Sequence, residues 1–176
     1  RQMSPEVFFT DEDSLHIVGQ ICQFGCPVGM EEDEKDSFKC KECADQRGCA
    51  KICTGHYLIH DGGALKTLHN TQCQIIDGNL EIELTDKVGY YMANVLDETL
   101  LRIREISGYL IIRFSTFLTS LRSFKNLERI GGKTLYQNRF ALAVFDNKNL
   151  VELLGLRESR KLIIDNGTIQ FQNNPQ

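Results

Sequence analysis

The chain of 176 residues has no tryptophan, and it has no cysteine in the 103 residues after Cys73. The first absence removes one of the aromatic side chains that most often anchor tight protein interfaces. The second divides the chain, because all seven cysteines fall between Cys22 and Cys73. No apolar run approaches the ~20 residues needed to cross a bilayer. The N-terminus lacks the apolar stretch of a secretory signal peptide. There is no excess of positive charge: 20 Lys and Arg stand against 24 Asp and Glu, and they are scattered rather than gathered in a stripe. That argues against nucleic acid as a partner. No nucleophile elbow, phosphate loop or dinucleotide fingerprint occurs. Gly131-Gly132-Lys133-Thr134 looks like the tail of a phosphate loop, but Leu127 stands where the loop needs its first glycine.

What is present is an ordinary globular balance, 41% hydrophobic and 25% charged, with length for one full domain and a small module. Dense cysteine in a loop-rich segment implies disulfide staples and an oxidising compartment. The odd count leaves one cysteine without a partner in this chain. Division into residues 1–60, cysteine-rich, and 61–176, with a conventional core, is therefore expected. Strands are expected at Val7–Thr10 and His16–Ile21, and a solvated loop at the acidic run Glu31–Asp36.

The second part carries a repeated phrase. Gly78-x-Leu80-x-Ile82 recurs thirty residues later as Gly108-x-Leu110-x-Ile112. Alternate strand side chains share a face, so each copy reads as a short strand entered through a turn at its glycine. Leu142 with Val144 is a weaker echo. Leu162–Phe171, alternating around Asn166-Gly167, reads as a hairpin. No such strand can bury a face alone, whereas stacked as rungs they can. Apolar residues at Val95, Leu96, Leu100, Leu101 and Ile103 read as a helix within Met92–Ile106, and a short helical cap is expected at Ala64–His69. The fold class is mainly β with short helices, a leucine-rich-type solenoid preceded by a disulfide-rich module.

Three chemistries compete at the cysteines. Cys40-x2-Cys43-x12-His56-x3-His60 has the ligand spacing of a zinc finger, yet Arg47 and Cys53 occupy the places of its usual core residues. A four-thiolate site from Cys40, Cys43, Cys49 and Cys53 is the better metal option, and it leaves Cys22, Cys26 and Cys73 unexplained. A disulfide ladder accounts for more of them, and no metal or other cofactor is expected. Asn166-Gly167-Thr168 is a glycosylation sequon at a turn. Outward strand positions form two stripes if the rungs stack: Glu81, Ile111, Ala143, Ile163, and Glu83, Arg113, Phe145, Asp165. Ile111, Phe145 and Ile163 are apolar there. They mark either a partner site or a face covered by a neighbouring loop.

At this point the residues resemble a known family. CQIIDGNLEI, IREISGYLIIR, LTSLRSFKNLERIGGKTL, FALAVFDNKNLVEL and GTIQFQNNP make Cys73–Pro175 similar to a receptor L domain, above all the second such domain of insulin and insulin-like growth factor receptors. CPVG, CKEC and CAKIC make Cys22–Cys53 similar to the end of the furin-like cysteine-rich region that precedes it. The resemblance implies a right-handed β-helical solenoid, an extracellular location and no catalysis in this segment. It implies an insulin-like hormone as partner of the whole receptor, contacts with other receptor domains, and a receptor homodimer. It implies the pairs Cys26–Cys40, Cys43–Cys49 and Cys53–Cys73, with Cys22 bonded to a cysteine before Arg1, and a chain cut at both ends from a longer ectodomain. Epidermal growth factor receptors share this domain order, and a secreted hormone-binding or decoy protein is the other alternative.

Peptide mapping without reduction is expected to recover Cys26–Cys40, Cys43–Cys49 and Cys53–Cys73. Stoichiometric zinc with Cys40 and Cys43 reduced would sink that expectation. Loss of Cys53–Cys73 is expected to matter most, at ~2–5 kcal/mol, because it ties the module to the first rung.

Overall fold

The computed structural model describes residues 15–18, 21–24, 30–33, 35–43, 49–85, 89, 91–152 and 161–175. The chain falls into two units, Arg1–Ala50 and Lys51–Gln176. In the first unit, β1 (Leu15–Val18) and β2 (Ile21–Phe24) pair antiparallel, as do β3 (Met30–Asp33) and β4 (Asp36–Glu42). The acidic run read as a loop is thus a strand, a tight turn and the start of the next strand. Lys41 reaches Glu31 across the strand pair at 3.4 Å, and Lys39 reaches Asp36 within β4 at 3.0 Å. Val7–Thr10 lies outside the described residues.

The second unit is built on parallel pairing. β5 (Ile52–Ile59) pairs with β6 (Ile75–Ile82) along their whole length. From β6 the sheet continues as two ladders. One adds β8 (Leu110–Arg113), β10 (Phe140–Phe145) and β12 (Thr168–Gln172). The other adds β7 (Glu105–Ile106), β9 (Arg129–Ile130) and β11 (Ile163–Ile164). Parallel neighbours need long crossovers. Here they include α1 (Gly62–Thr71) between β5 and β6, and α2 (Met92–Arg102) between β6 and β7. Asp61 caps α1 by accepting from the Ala64 N–H at 2.7 Å. Apolar spacing buries Leu65 and Leu68 of α1 and Met92, Leu96 and Leu100 of α2 while leaving Asp97 and Glu98 in solvent.

Register makes the core columnar. Cys53, Ile76, Ile106, Ile130 and Ile164 align across the strands, as do Tyr57, Leu80, Leu110, Leu142 and Ile169, and Ile59, Ile82, Ile112, Val144 and Phe171. Burying each inner aliphatic contributes about 1.5–3 kcal/mol, whereas the last members of two columns, Ile169 and Phe171, are exposed. The bend between the ladders is a column of glycines. Gly78 lies inside β6, not at a turn before it. A Cβ there would sit 1.7 Å from the Gly55 carbonyl oxygen, and the Gly108 N–H donates to the Gly78 carbonyl at 2.8 Å. Any side chain at Gly78 would force β5 and β6 apart.

The last element departs from the sequence reading. Leu162–Phe171 is not a hairpin: β11 pairs with β9 and β12 with β10. Asn166-Gly167, with Gly167 at φ 93°, turns the chain from one ladder into the other. Parallel pairing to the preceding strands outweighs the local hairpin signal because it extends the apolar columns.

A polar ladder runs along one corner of the stack. Ser115 donates to the Leu84 carbonyl at 2.6 Å, Asn147 to Ile112 at 3.0 Å, and Asn174 to Val144 at 2.9 Å. In return, the Asn147 side-chain oxygen accepts from the Ser115 N–H at 3.0 Å. Asn147 is fully buried. Asn147→Ala would orphan two buried backbone groups at ~1–3 kcal/mol each. It is expected to cost as much as Ile112→Ala, ~2–5 kcal/mol, in urea unfolding. A cost below about 0.5 kcal/mol would show that the corner ladder is dispensable.

Candidate functional site

Of the outward positions singled out from sequence, Glu81, Ile111 and Ala143 are cross-strand neighbours, and so are Arg113 and Phe145. Ile163 and Asp165 do not join them. Ile163 pairs with Arg129 on the second ladder, and Asp165 accepts from Arg129 there at 3.2 Å. The first-ladder stripes end instead on Gln170 and Gln172 of β12. Ile111 is not an exposed anchor either, being 0% exposed. The segment after β9 ties itself to the outward side of the strands: Lys133 to Asp77 at 3.0 Å, Thr134 to Asn79, and the Tyr136 hydroxyl to Arg113 at 2.9 Å. Coverage by a loop is therefore the outcome for Ile111.

Charge organises what remains of this face. Glu81 is 7% exposed. It accepts from the Tyr109 hydroxyl at 2.8 Å and Arg113 Nη2 at 3.0 Å, and His56 Nε2 lies 3.3 Å away. Arg113 Nε also donates to Glu83. Arg113, read from sequence as outward, holds both carboxylates and a phenol. Burial, then the bond to Glu81 and its charge, push the Tyr109 phenol up to about 12. Burial alone would lower the Arg113 pKa, but the carboxylates of Glu83 and Glu81 outweigh it and the pKa is raised. Around the ion pairs stands an aromatic cluster. Tyr109 meets Tyr136 edge-on at 6.0 Å, Tyr136 stacks with Phe145 at 6.3 Å, and Phe145 meets Phe114 edge-on at 5.7 Å. The Arg113 guanidinium sits 5.6 Å from the Tyr136 ring centroid and 5.9 Å from that of Phe114.

The sequence reading missed His56, Tyr109, Phe114 and Tyr136. Tyr109 was within reach, since it stands two residues before Ile111 and so shares its side of the strand. Tyr136 comes from a segment with no strand periodicity and carries no such signal.

The cysteines that might have held zinc are engaged otherwise. Cys43 and Cys49 are bonded with Cα atoms 5.9 Å apart, Cys53 and Cys73 with Cα atoms 5.8 Å apart, and Cys40 is disulfide-bonded too. Cys26 lies outside the described residues. His56 faces Glu81, and His60 faces Asp61 at 3.2 Å. Among the described residues no three metal-capable side chains come together, and no helix is long and apolar enough to cross a membrane. Asn166 is exposed at its bend, its amide donating to the Gly132 carbonyl at 3.1 Å.

Comparison with protein families matches residues 72–176 to the receptor L domain. The chain belongs to that family. This receptor L domain chain is similar to the insulin-like receptor of Caenorhabditis elegans, 34% identical over 88% of the chain and 8% of that protein. It is 33% identical to the human insulin receptor-related protein over 93% of the chain and 13% of that protein. It is 31% identical to the Xenopus laevis insulin receptor over 88% and 11%. The chain thus spans roughly a tenth of the length of these relatives. The chain is mainly β, with two α-helices among the described residues and disulfides toward its N-terminal side.

Arg113→Ala is expected to lower stability by on the order of 1–3 kcal/mol, because Glu81 would keep its burial and lose its cation. Denaturant unfolding checks this. A change within 0.5 kcal/mol, ordinary for an exposed unpaired side chain, would mean the ion pairs contribute nothing.

Proposed function

We propose that this chain is a non-catalytic extracellular segment of an insulin-receptor-like receptor, holding the receptor's architecture and helping to shape its response to an insulin-like hormone. The cysteine-bearing part is the end of a furin-like region. Residues 61–176 form a second receptor L domain, coiled as a right-handed β-helical solenoid. The supporting observation is the extent of the likeness. Alignments covering 88–93% of the chain run well beyond the 72–176 match, so cysteine module and L domain occur together in receptors of the insulin type. Parallel ladders with columnar cores are what a solenoid requires. Disulfides fit an oxidising, extracellular setting, and there Asn166 is a glycosylation site on an exposed bend.

Catalysis is disfavoured by how the titratable groups are used. Among the described residues, Glu81, Glu83, Tyr109 and Arg113 bind one another rather than standing as an acid–base pair over a vacant reacting position. The partner surface is the part of the outward face around Arg113 and Phe145, which meets other receptor domains in a receptor homodimer. Any kinase lies elsewhere in the parent protein.

Calorimetric titration of the 176-residue chain with insulin-like and epidermal-growth-factor-like hormones is expected to give binding weaker than micromolar, because the resemblance to insulin-type receptors implies that the main hormone surface lies on another domain. Sub-micromolar binding that disappears in Phe145→Ala would overturn the scaffold reading in favour of direct ligand capture.

A further inference from the structure

Three corners of the stack repeat one geometry. After β8, β10 and β12 the chain turns through a residue with positive φ: Phe114 at 51°, Asp146 at 57° and Asn173 at 52°. Each is followed by a member of the polar corner ladder, Ser115, Asn147 and Asn174. Asp and Asn suit this left-handed conformation, whereas a bulky residue there is an outlier. Phe114 is also 53% exposed. A bulky residue strained in its backbone and half in water is unusual, and strain of this kind gathers at functional sites.

The ring is not loose. The edge of Phe145 and the guanidinium of Arg113 fix its posture, leaving the remainder of the ring to solvent. Among the described residues its surroundings are acidic. Glu81 and Glu83 share Arg113, and His56 Nε2 also lies 3.3 Å from Glu81. Two carboxylates and one guanidinium thus stand beside an open π surface.

We propose that Phe114 is the anchor of this face and that it receives a basic polypeptide segment, an arginine of which lies over the exposed ring beside Glu83. Ring quadrupole and carboxylate both favour a cation there. Phe114 and the sign of the partner's charge go beyond the surface inferred above. They need that face to meet a partner but not that the partner be a hormone, so a failed peptide titration and a failed hormone titration are separate results.

The test is NMR titration of the whole 176-residue chain, reading the Phe145 and Tyr136 ring signals. The probes are two blocked pentapeptides, Gly-Arg-Gly-Arg-Gly and Gly-Glu-Gly-Glu-Gly. The arginine peptide is expected to shift the rings saturably and the glutamate peptide is not. Phe114→Leu, apolar but without a π face, is expected to bind about two- to fivefold more weakly. Glu83→Gln is expected to weaken binding most at low salt. Phe114→Asn is expected to abolish the response while raising the thermal midpoint by roughly 2–4 °C as the corner relaxes. Equal shifts from both peptides, no shift from the arginine peptide, unaltered binding in Phe114→Leu, or a lowered midpoint in Phe114→Asn would each overturn the proposal.

Discussion

Everything in the second unit depends on how closely successive strands approach at the glycine column. Gly78 and Gly108 let backbone lie on backbone where the two ladders meet, and a single Cβ at Gly78 would collide with the neighbouring carbonyl of Gly55. Because that contact is backbone against backbone, it fixes register as well as distance. With register fixed, three apolar columns align on the inner side, and on the outer side residues thirty apart in sequence become neighbours. The Glu81–Arg113 pair is a product of that register, as is the Tyr109 hydroxyl on the Glu81 carboxylate.

The outer face shows why periodicity does not decide exposure. Ile111 and Ile112 are adjacent, point to opposite sides, and are both fully buried. One lies in the columnar core. The other lies under a segment that crosses the strands and fastens to them at Asp77, Asn79 and Arg113. Alternation states which side a residue faces and is silent about what covers it.

Much of the framework was legible in the sequence for physical reasons. The Gly-x-Leu-x-Ile phrase located β6 and β8, and helical spacing located α2 to within a few residues. Cysteine arithmetic separated two kinds of segment. The same phrase was overlooked once: Gly55-His56-Tyr57-Leu58-Ile59 is Gly-x-Tyr-x-Ile, and it forms β5 in register with Gly78–Ile82. Neighbouring cysteines had drawn that stretch into the disulfide module, and His56 into a metal reading. Asn166-Gly167 misled in the opposite direction, because a strong local turn signal also suits a bend between two ladders. Ile163 was assigned to the wrong stripe as a result. Phe114 could not have been found from residue type, since its significance lies in a backbone angle that the sequence does not display.

The strands that pair in the second unit are distant along the chain, from 23 residues apart for β5 and β6 to 34 for β9 and β11. Each pairing must close a long loop before any column gains a member, which makes such topologies slow to fold. β5 and β6 are the two strands that run unbroken through both ladders, and the Cys53–Cys73 bond joins their N-terminal ends across α1. Once oxidised, that pair is a template with its loop already closed, onto which each later layer can add its two short strands. The timing of one disulfide in the secretory pathway would then set the order in which the whole unit assembles.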